Sequence, residues 1–169
     1  MKINWRRTAL VVIIVLINIG CDQATKQLAR DQLMSVEPLS YLGDFFRLSY
    51  VENKGAFLSL GAGLSEQLRY WALLILPLGL LVGLLLYTLF STNVNRWQAI
   101  AFSFIIGGGI SNVYDRILYG QVVDFMNMGV GSLRTGIFNF ADVSIMIGLG
   151  IMLPMIFKKE EEEKDKTSG

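Results

Sequence analysis

Four apolar stretches separated by short polar segments dominate the chain, and each is long enough to cross, or nearly cross, a bilayer core. The pattern predicts helical spans at residues 5–22, 69–90, 97–115 and 138–157. Apolar and polar side chains alternate over residues 46–51, which predicts a half-buried β-strand. A turn signal follows, and residues 56–60 fit a second strand, so we predict a small sheet at the membrane surface; the alternative is a plain hairpin connector. The predicted fold class is a membrane all-α protein with four transmembrane helices and this small sheet.

The composition is that of a multi-pass membrane protein with one domain: 53% of the residues are hydrophobic, 17% are charged, and the mean hydropathy is +0.48. We assign this domain to residues 1–159 and expect the charged segment 160–169 to be a disordered tail. The positive-inside rule places both termini in the cytoplasm. The basic residues that flank the spans on that side are Lys2, Arg6, Arg7, Arg96, Lys158 and Lys159.

The first span also resembles a secretory signal, because a basic start precedes an apolar run that ends at Ile19, Gly20 and Cys21 in the manner of a lipoprotein cleavage box. Asn18, however, stands where such a box has a branched apolar residue, and the chain beyond it is a membrane protein. We therefore interpret residues 5–22 as the first membrane helix.

The absence of certain residue types limits the kinds of catalytic site that the chain can form. The chain has no histidine, which excludes Ser-His-Asp and Cys-His hydrolases and the HExxH zinc site. Its one cysteine excludes an intrachain disulfide and a thiolate metal cluster. A net charge of +1 argues against binding of nucleic acid. We predict no metal and no cofactor, which leaves carboxylates or a Ser-Lys pair as catalytic groups.

Carboxylates gather at one depth of the predicted membrane. With a rise of about 1.5 Å per residue, Asp22, Asp115 and Asp142 lie roughly 22–28 Å from the basic residues at the cytoplasmic ends of their helices. Because a hydrocarbon core is about 30 Å thick, all three lie near its outer edge. Asp124, in the short connection 120–136, must lie at the same surface. Ionisable groups at such a position indicate a functional site.

Two carboxylates held together away from water cannot both ionise easily, so one keeps its proton and the pair titrates as a unit. The ionised member can take a proton from water while the protonated one donates to a scissile carbonyl, as in aspartyl proteases. Asn112, Arg116 and Asn139 would orient the acids or the substrate by hydrogen bonds. We expect Asp115 to be structural, pairing locally or capping its helix.

Asp22 and Lys26 are four residues apart and share a helix face. Two interpretations stay open for them. They are either a solvated turn with a weak ion pair or members of the polar site at the outer surface.

Five segments resemble, in order, the motifs of the lipoprotein signal peptidases, the type II signal peptidases. They are DQATK (22–26), NKGAF (53–57), GGISNVYDR (108–116), VVDF (122–125) and FNFAD (138–142). The resemblance implies a four-helix aspartyl endopeptidase of the bacterial inner membrane, with an extracytoplasmic β-cradle and an active site near that face. Such an enzyme cleaves signal peptides of prolipoproteins just before a cysteine that carries diacylglycerol.

The resemblance also implies roles for individual residues. Asp124 and Asp142 match the catalytic pair of the family. The residues that match its positions for support or substrate contact are Asp22, Lys26, Asn53, Gly55, Asn112, Arg116 and Asn139. The expected partners are lipid-modified prolipoprotein signal peptides and membrane phospholipid, with the enzyme acting as a monomer. Ser111 departs from the family by standing where a glycine is usual, and the glycine-rich connection 124–142 leaves the shape of any lid open.

Two other functions compete with this one. Ser49 or Ser59 with Lys54 could form a Ser-Lys hydrolase, although no motif presents the pair. A small proton-coupled transporter is the non-enzymatic alternative. Transport sites, however, tend to lie near the bilayer midplane in proteins with repeated or broken helices.

Overall fold

The computed structural model describes residues 4–55 and 65–167 and consists of long helices with a small antiparallel sheet. The helices are α1 (Trp5–Leu33), α2 (Glu66–Tyr70), α3 (Leu76–Phe90), α4 (Arg96–Tyr119) and α5 (Phe140–Thr167). A π-helical turn, Trp71–Ile75, joins α2 to α3 into one helical segment, Glu66–Phe90. The strands are β1 (Leu39–Tyr41), β2 (Phe46–Asn53), β3 (Val122–Val130) and β4 (Leu133–Arg134).

Two helical segments are long and apolar enough to cross a membrane, Trp5–Leu33 and Glu66–Phe90. Only 17% of the most apolar stretch of the first segment, and 6% of that of the second, is buried inside the protein. The apolar surface of both segments therefore faces outward. Helix α4 instead packs against α1, α3 and α5 at the centre. It is less apolar because its buried face carries polar side chains, among them Ser103, Ser111, Asn112 and Asp115. The apolar part of α5, Phe140–Met155, is shorter.

Two helices extend beyond the predicted spans. Helix α1 continues to Leu33, past the predicted end at residue 22, because its buried positions keep one helical face from beginning to end. Those positions are Val11, Asn18, Asp22, Lys26, Ala29 and Leu33. Helix α5 continues to Thr167, through the segment for which we predicted a disordered tail. That segment consists largely of Glu and Lys, which are good helix formers and recur at spacings of four residues.

The sheet has the order β1-β2-β3-β4 and all its neighbours are antiparallel. The predicted strand at residues 46–51 is confirmed as β2, whereas the predicted strand at residues 56–60 lies outside the described residues. The long partner of β2 is β3, in a segment we had treated only as a connection between helices. Val123 and Phe125 of β3 pack on Ala29 and Leu33 at the end of α1. This contact fixes the sheet against the helices.

Three consecutive glycines of α4 allow three different helices to approach it. A Cβ atom at Gly107 would meet Asn18 of α1, one at Gly108 would meet the carbonyl oxygen of Ala141 in α5, and one at Gly109 would meet Leu81 of α3. Small residues at these positions therefore permit close helix packing. The close approach at Gly108 brings the start of α5 directly onto α4.

Candidate active site

The two aspartates predicted to be catalytic come from a strand and from the start of a helix. Asp124 is the third residue of β3, where it lies opposite Val51 of β2. Asp142 is the third residue of α5. Asp124 is only 3% exposed, while Asp142 is partly exposed. One acid is therefore shielded from its surroundings and the other is accessible from outside.

Asn139 contacts both acids. Its side-chain Nδ2 donates to Asp124 Oδ1 at 2.7 Å, and its backbone N–H donates to Asp142 Oδ2 at 3.1 Å. Its Oδ1 accepts from the Asp142 N–H at 3.0 Å. This reciprocal arrangement is a capping box in which Asp142 takes the position usual for Glu or Gln. The start of α5 thereby fixes Asp142 and, through Asn139, its placement relative to Asp124.

Two further amides complete the hydrogen bonds of the acids. Asn53, the last residue of β2, donates from Nδ2 to Asp124 Oδ2 at 2.7 Å. Asn112 of α4 donates from Nδ2 to Asp142 Oδ1 at 3.0 Å. Each carboxylate therefore accepts hydrogen bonds on both of its oxygens, which fixes its orientation.

A buried lysine orients Asn112. Lys26 Nζ donates to Asn112 Oδ1 at 2.9 Å, which leaves the Asn112 Nδ2 to face Asp142. The same ammonium forms ion pairs with Asp22 Oδ2 at 2.6 Å and with Asp115 Oδ2 at 2.7 Å, and the three charged side chains are fully buried. The solvated-turn interpretation of Asp22 and Lys26 is therefore wrong, and Lys26 is joined to the candidate site.

Asp22 links three helices. Its Oδ1 accepts from the backbone N–H of Ala141 at 2.8 Å, and its Oδ2 accepts from Ser111 Oγ at 2.7 Å. A carboxylate at the first turn of α5 is favoured by the partial positive charge of the helix N-terminus. Asp22 thus fixes the end of the helix that carries Asp142.

The expectation that Asp115 pairs locally is wrong. Its partners are on α1, where Lys26 forms the ion pair and Gln23 Nε2 donates to Oδ1 at 2.9 Å. Its structural role stays a prediction, supported by the absence of any hydrogen bond to Asp124 or Asp142 among the described residues.

We expect Asp115→Asn to retain measurable activity of the predicted peptidase and to lower thermal stability. The amide oxygen can still accept from Lys26, and Asp22 still balances its charge. The measurement is the initial cleavage rate per folded enzyme, next to the melting temperature. Asp31→Asn is the control, because the Asp31 carboxylate is exposed and, among the described residues, accepts a hydrogen bond from Gln27 alone. Complete loss of activity in a folded, normally abundant Asp115→Asn protein would make Asp115 part of the catalytic group.

Arg116 ties the segment after β2 to α4. Its Nη2 donates to the Gly55 carbonyl at 2.8 Å and its Nη1 to the Asn112 carbonyl at 3.2 Å. The Gly55 N–H in turn donates to Asn53 Oδ1 at 2.8 Å. Arg116 also lines an open cavity of about 330 Å³, together with Lys54 and Tyr119.

Burial controls the proton affinity of Asp124. Loss of solvation raises its pKa to about 6; the hydrogen bond from Asn53 opposes the shift and the negative charge of Asp142 adds to it. The acid therefore holds a proton at a pH where an ordinary aspartate is ionised. Among the described residues, no group of three or more His, Cys, Asp or Glu side chains is placed to hold a metal ion.

Two residues that hydrogen-bond to the buried aspartates were given no site role from the sequence. Gln23 Nε2 donates both to Ser111 Oγ and to Asp115 Oδ1, each at 2.9 Å. In the sequence, Ser111 stood out only because a glycine is usual at that position. In the structure, its Oγ donates to Asp22. The spacing of four residues between Ser111 and Asp115, which puts them on one helix face, was the available signal.

The Ser-Lys alternative gains no support. Ser49 lies within β2, Lys54 is exposed beyond its end, and no hydrogen bond joins the two in the described part of the chain. Ser59 lies outside the described residues.

The chain is similar to known proteins over most of its length. The sequence profile of the family described as "Signal peptidase (SPase) II" matches residues 13–158. The chain is 37% identical to a "Lipoprotein signal peptidase" of Chlorobium phaeobacteroides, over 90% of this chain and 94% of that one. It is 34% identical to a protein of the same name from Borrelia hermsii, over 90% of this chain and 92% of that one.

A solved structure shares the fold. A bacterial membrane enzyme determined by the in meso method at 2.3 Å superposes with a TM-score of 0.77 at 24% identity, with 90% of each chain covered. The family match extends over most of the chain and includes all the segments that build the site. The chain therefore belongs to the signal peptidase II family, the lipoprotein signal peptidases.

Proposed function

We propose that this protein is an intramembrane aspartyl endopeptidase that removes the signal peptide from diacylglyceryl-modified prolipoproteins and cleaves just before the lipidated cysteine. The observation that carries the proposal is the bridge made by Asn139 between Asp124 and Asp142. It holds a buried acid and an accessible acid beside each other. Family membership supports the signal peptidase activity.

One of the two acids acts as the general base and the other as the general acid. The ionised carboxylate takes a proton from a water molecule as the water oxygen attacks the scissile carbonyl carbon, and the protonated one donates to the carbonyl oxygen. When the tetrahedral intermediate collapses, the C–N bond breaks and the leaving nitrogen receives a proton from the pair. The raised pKa of Asp124 makes a shared proton available near neutral pH. Asn53, Asn112 and Asn139 keep both acids oriented throughout.

The supporting residues hold this geometry. Lys26 and Asp22 act through Asn112 and through the start of α5, so we infer a positioning role for both. Arg116 lines the cavity and donates to the Gly55 carbonyl, and we infer that these two residues contact the backbone of the peptide substrate. We infer that the chain acts as a monomer without a cofactor.

The decisive experiment compares two precursors that differ only in the lipid. Purified enzyme in detergent is incubated with a precursor whose cysteine carries diacylglycerol and with its unmodified form. We expect mass spectrometry to find a new N-terminus at the lipidated cysteine and no product from the unmodified form. Cleavage elsewhere, or equal cleavage of both precursors, would refute the proposed specificity.

We further infer that residues 1–159 form one domain in the bacterial inner membrane, crossed by four helices within α1, Glu66–Phe90, α4 and α5. Both termini and the charged segment 160–169 would be cytoplasmic. The β-sheet would then form an extracytoplasmic cradle, and the acids would lie near that face. Support comes from the basic residues at one end of the helices and from the sheet packed at the other end of α1.

This orientation predicts the result of cysteine labelling in intact cells. Leu42→Cys and Leu133→Cys, at positions that are 80% and 84% exposed on the sheet side, should react with an impermeant maleimide from outside. Asn93→Cys, in the exposed turn before α4, should react only after lysis. All three are made after replacement of Cys21 by serine. Labelling of Asn93→Cys in intact cells would contradict the four-span orientation.

The proposed acid pair predicts a pH profile that Asn53 controls. Because the pair must keep one proton, kcat/KM should fall as the pH rises through the upper pKa of the pair, near 6 in the free enzyme. Asn53→Leu removes a hydrogen bond that favours ionised Asp124, so the alkaline limb of the pH profile, where kcat/KM falls, should move to higher pH. The measurement is kcat/KM against pH for both proteins. A lower rate with an unmoved limb would assign Asn53 a purely structural role.

The same shift has a defined effect on stability. The folded state binds the Asp124 proton more tightly than the unfolded chain, whose aspartate has the ordinary value of 3.8. The contribution of this group to the free energy of unfolding therefore decreases as the pH rises from about 4 to about 6 and is constant above that range.

A further inference from the structure

The end of the molecule opposite to the acids contains a second, basic cavity. It has a volume of about 390 Å³ and lies between the start of α1 and the start of α4. Arg6, Arg7 and Arg96 line it together with the apolar side chains of Leu10, Val94 and Ala99. With about 1.5 Å of rise per residue, Arg7 lies roughly 22 Å along α1 from Asp22. The cavity is therefore separate from the candidate active site.

The three arginines differ in the hydrogen bonds and ion pairs that their side chains form. Arg7 donates from Nη1 to the carbonyl oxygens of Ser91 at 2.7 Å and Val94 at 3.3 Å, and from Nη2 to that of Leu89 at 2.9 Å, which ties α1 to the end of α3. Its Nε is buried without a hydrogen-bond partner in the described part of the chain. The side chains of Arg6 and Arg96 form no ion pair with any described residue. The cavity thus has unneutralised positive charge.

The backbone increases this charge. Both α1 and α4 begin at the cavity, and neither has an acidic residue in its first turn. The partial positive charges of two helix N-termini therefore add to the charges of the arginines. Cations are unfavourable at helix starts, and no carboxylate of the described residues lines the cavity.

The rest of the cavity fits a lipid better than a free anion. Leu10, Val94 and Ala99 form its apolar wall. Leu10 on α1 and Ala99 on α4 lie on the membrane side of the arginines, and Val94 lies in the turn before α4. Trp5 and Trp97, which are 74% and 64% exposed, flank the cavity on the same two helices. Exposed tryptophans at helix starts mark the headgroup level of a membrane, and basic pockets between helices at that level bind anionic lipid headgroups.

We propose that this cavity is a binding site for an anionic phospholipid of the cytoplasmic leaflet, with its phosphate between Arg6 and Arg96 and its first acyl carbons along the part-exposed side chain of Leu10. The proposal rests on the inferred membrane orientation and does not depend on the acid pair. The bound lipid would neutralise the helix starts and stabilise the packing of α1 on α4.

The test measures lipid affinity by native mass spectrometry of the full chain in detergent. Wild-type protein should bind phosphatidylglycerol more tightly than phosphatidylcholine with the same acyl chains. Arg6→Gln/Arg96→Gln should weaken phosphatidylglycerol binding by about twenty-fivefold, because each arginine near the headgroups contributes about fivefold. Arg7 is left unchanged since it supports the fold. Lys158→Gln/Lys159→Gln is the control, because it removes the same charge from the same predicted face outside the cavity.

Three outcomes would overturn the proposal: no preference for phosphatidylglycerol over phosphatidylcholine, equal weakening in the two double variants, or full competition by inorganic phosphate at the same concentration as the lipid. The last result would indicate a simple anion site. Melting temperatures give independent support for the lipid site. On addition of phosphatidylglycerol, the melting temperature of Arg6→Gln/Arg96→Gln should rise less than that of the control variant. Cleavage in detergent should be unchanged in both double variants, so the result is separate from that of the active-site tests.

Discussion

Asp124→Asn and Asp142→Asn should each lower the turnover of a diacylglyceryl-modified precursor by at least about a thousandfold. Asparagine has nearly the shape of aspartate but can neither hold nor accept the catalytic proton. Because the two acids act on one water and share one proton, the loss of either removes the function of both. The double variant should therefore be no worse than the single variants.

The structure also predicts what these substitutions leave intact. An amide at position 124 can accept from Asn53 or from Asn139 but not from both, since one of its two ends is now a donor. We expect a small loss of thermal stability and retained affinity for the precursor, because the substitution also removes the repulsion between like charges. Asp31→Asn, an exposed change of the same chemistry, should match wild type. Turnover within a few-fold of wild type in either variant would refute the proposed pair.

The sequence was most informative where helix geometry alone determines position. The rise per residue brought Asp22, Asp115 and Asp142 to one depth, and the structure joins the first two through Lys26 and brings Asp22 onto the start of α5. The capping box of Asn139 and Asp142 is likewise a local feature, readable from a spacing of three residues. Such contacts need no knowledge of the tertiary fold.

What the sequence did not reveal depends on partners far away in the chain. Strand β3 was missed because Val122–Val130 has little alternation of its own and becomes a strand by pairing with β2. Asp115 was assigned a local partner since Arg116 is its neighbour, yet its cation comes from α1. The length of α1 was underestimated because charged Asp22 and Lys26 resemble a membrane exit in the sequence and are buried by α4 and α5 in the fold.

Lys26→Met should be the most damaging single substitution outside the acid pair. Methionine fills a similar volume but leaves Asp22 and Asp115 buried with no cation, since Lys26 is the only basic residue in contact with them among the described residues. Removal of one partner from a buried ion pair costs about 3–5 kcal/mol of stability. Asn112 Oδ1 would also lose the shorter of its two hydrogen bonds, from Lys26 at 2.9 Å, and keep the longer one from Asn139 Nδ2 at 3.2 Å. The hydrogen bond from Asn112 to Asp142 would therefore weaken.

A second substitution separates the loss of charge balance from the loss of the lysine itself. Lys26→Met/Asp115→Asn removes one of the two unpaired carboxylates, while Asp22 keeps the Ser111 hydroxyl and the Ala141 N–H as donors. We expect the melting temperature to recover in the double variant and the cleavage rate to stay low, because Asn112 still lacks the short hydrogen bond from Lys26 and keeps the longer one from Asn139. Arg47→Met, which breaks the partly exposed Arg47–Asp44 pair at 2.5 Å, should stay close to wild type in both measurements. If Lys26→Met melted and cleaved like Arg47→Met, the buried ion pairs would have no role in holding the site.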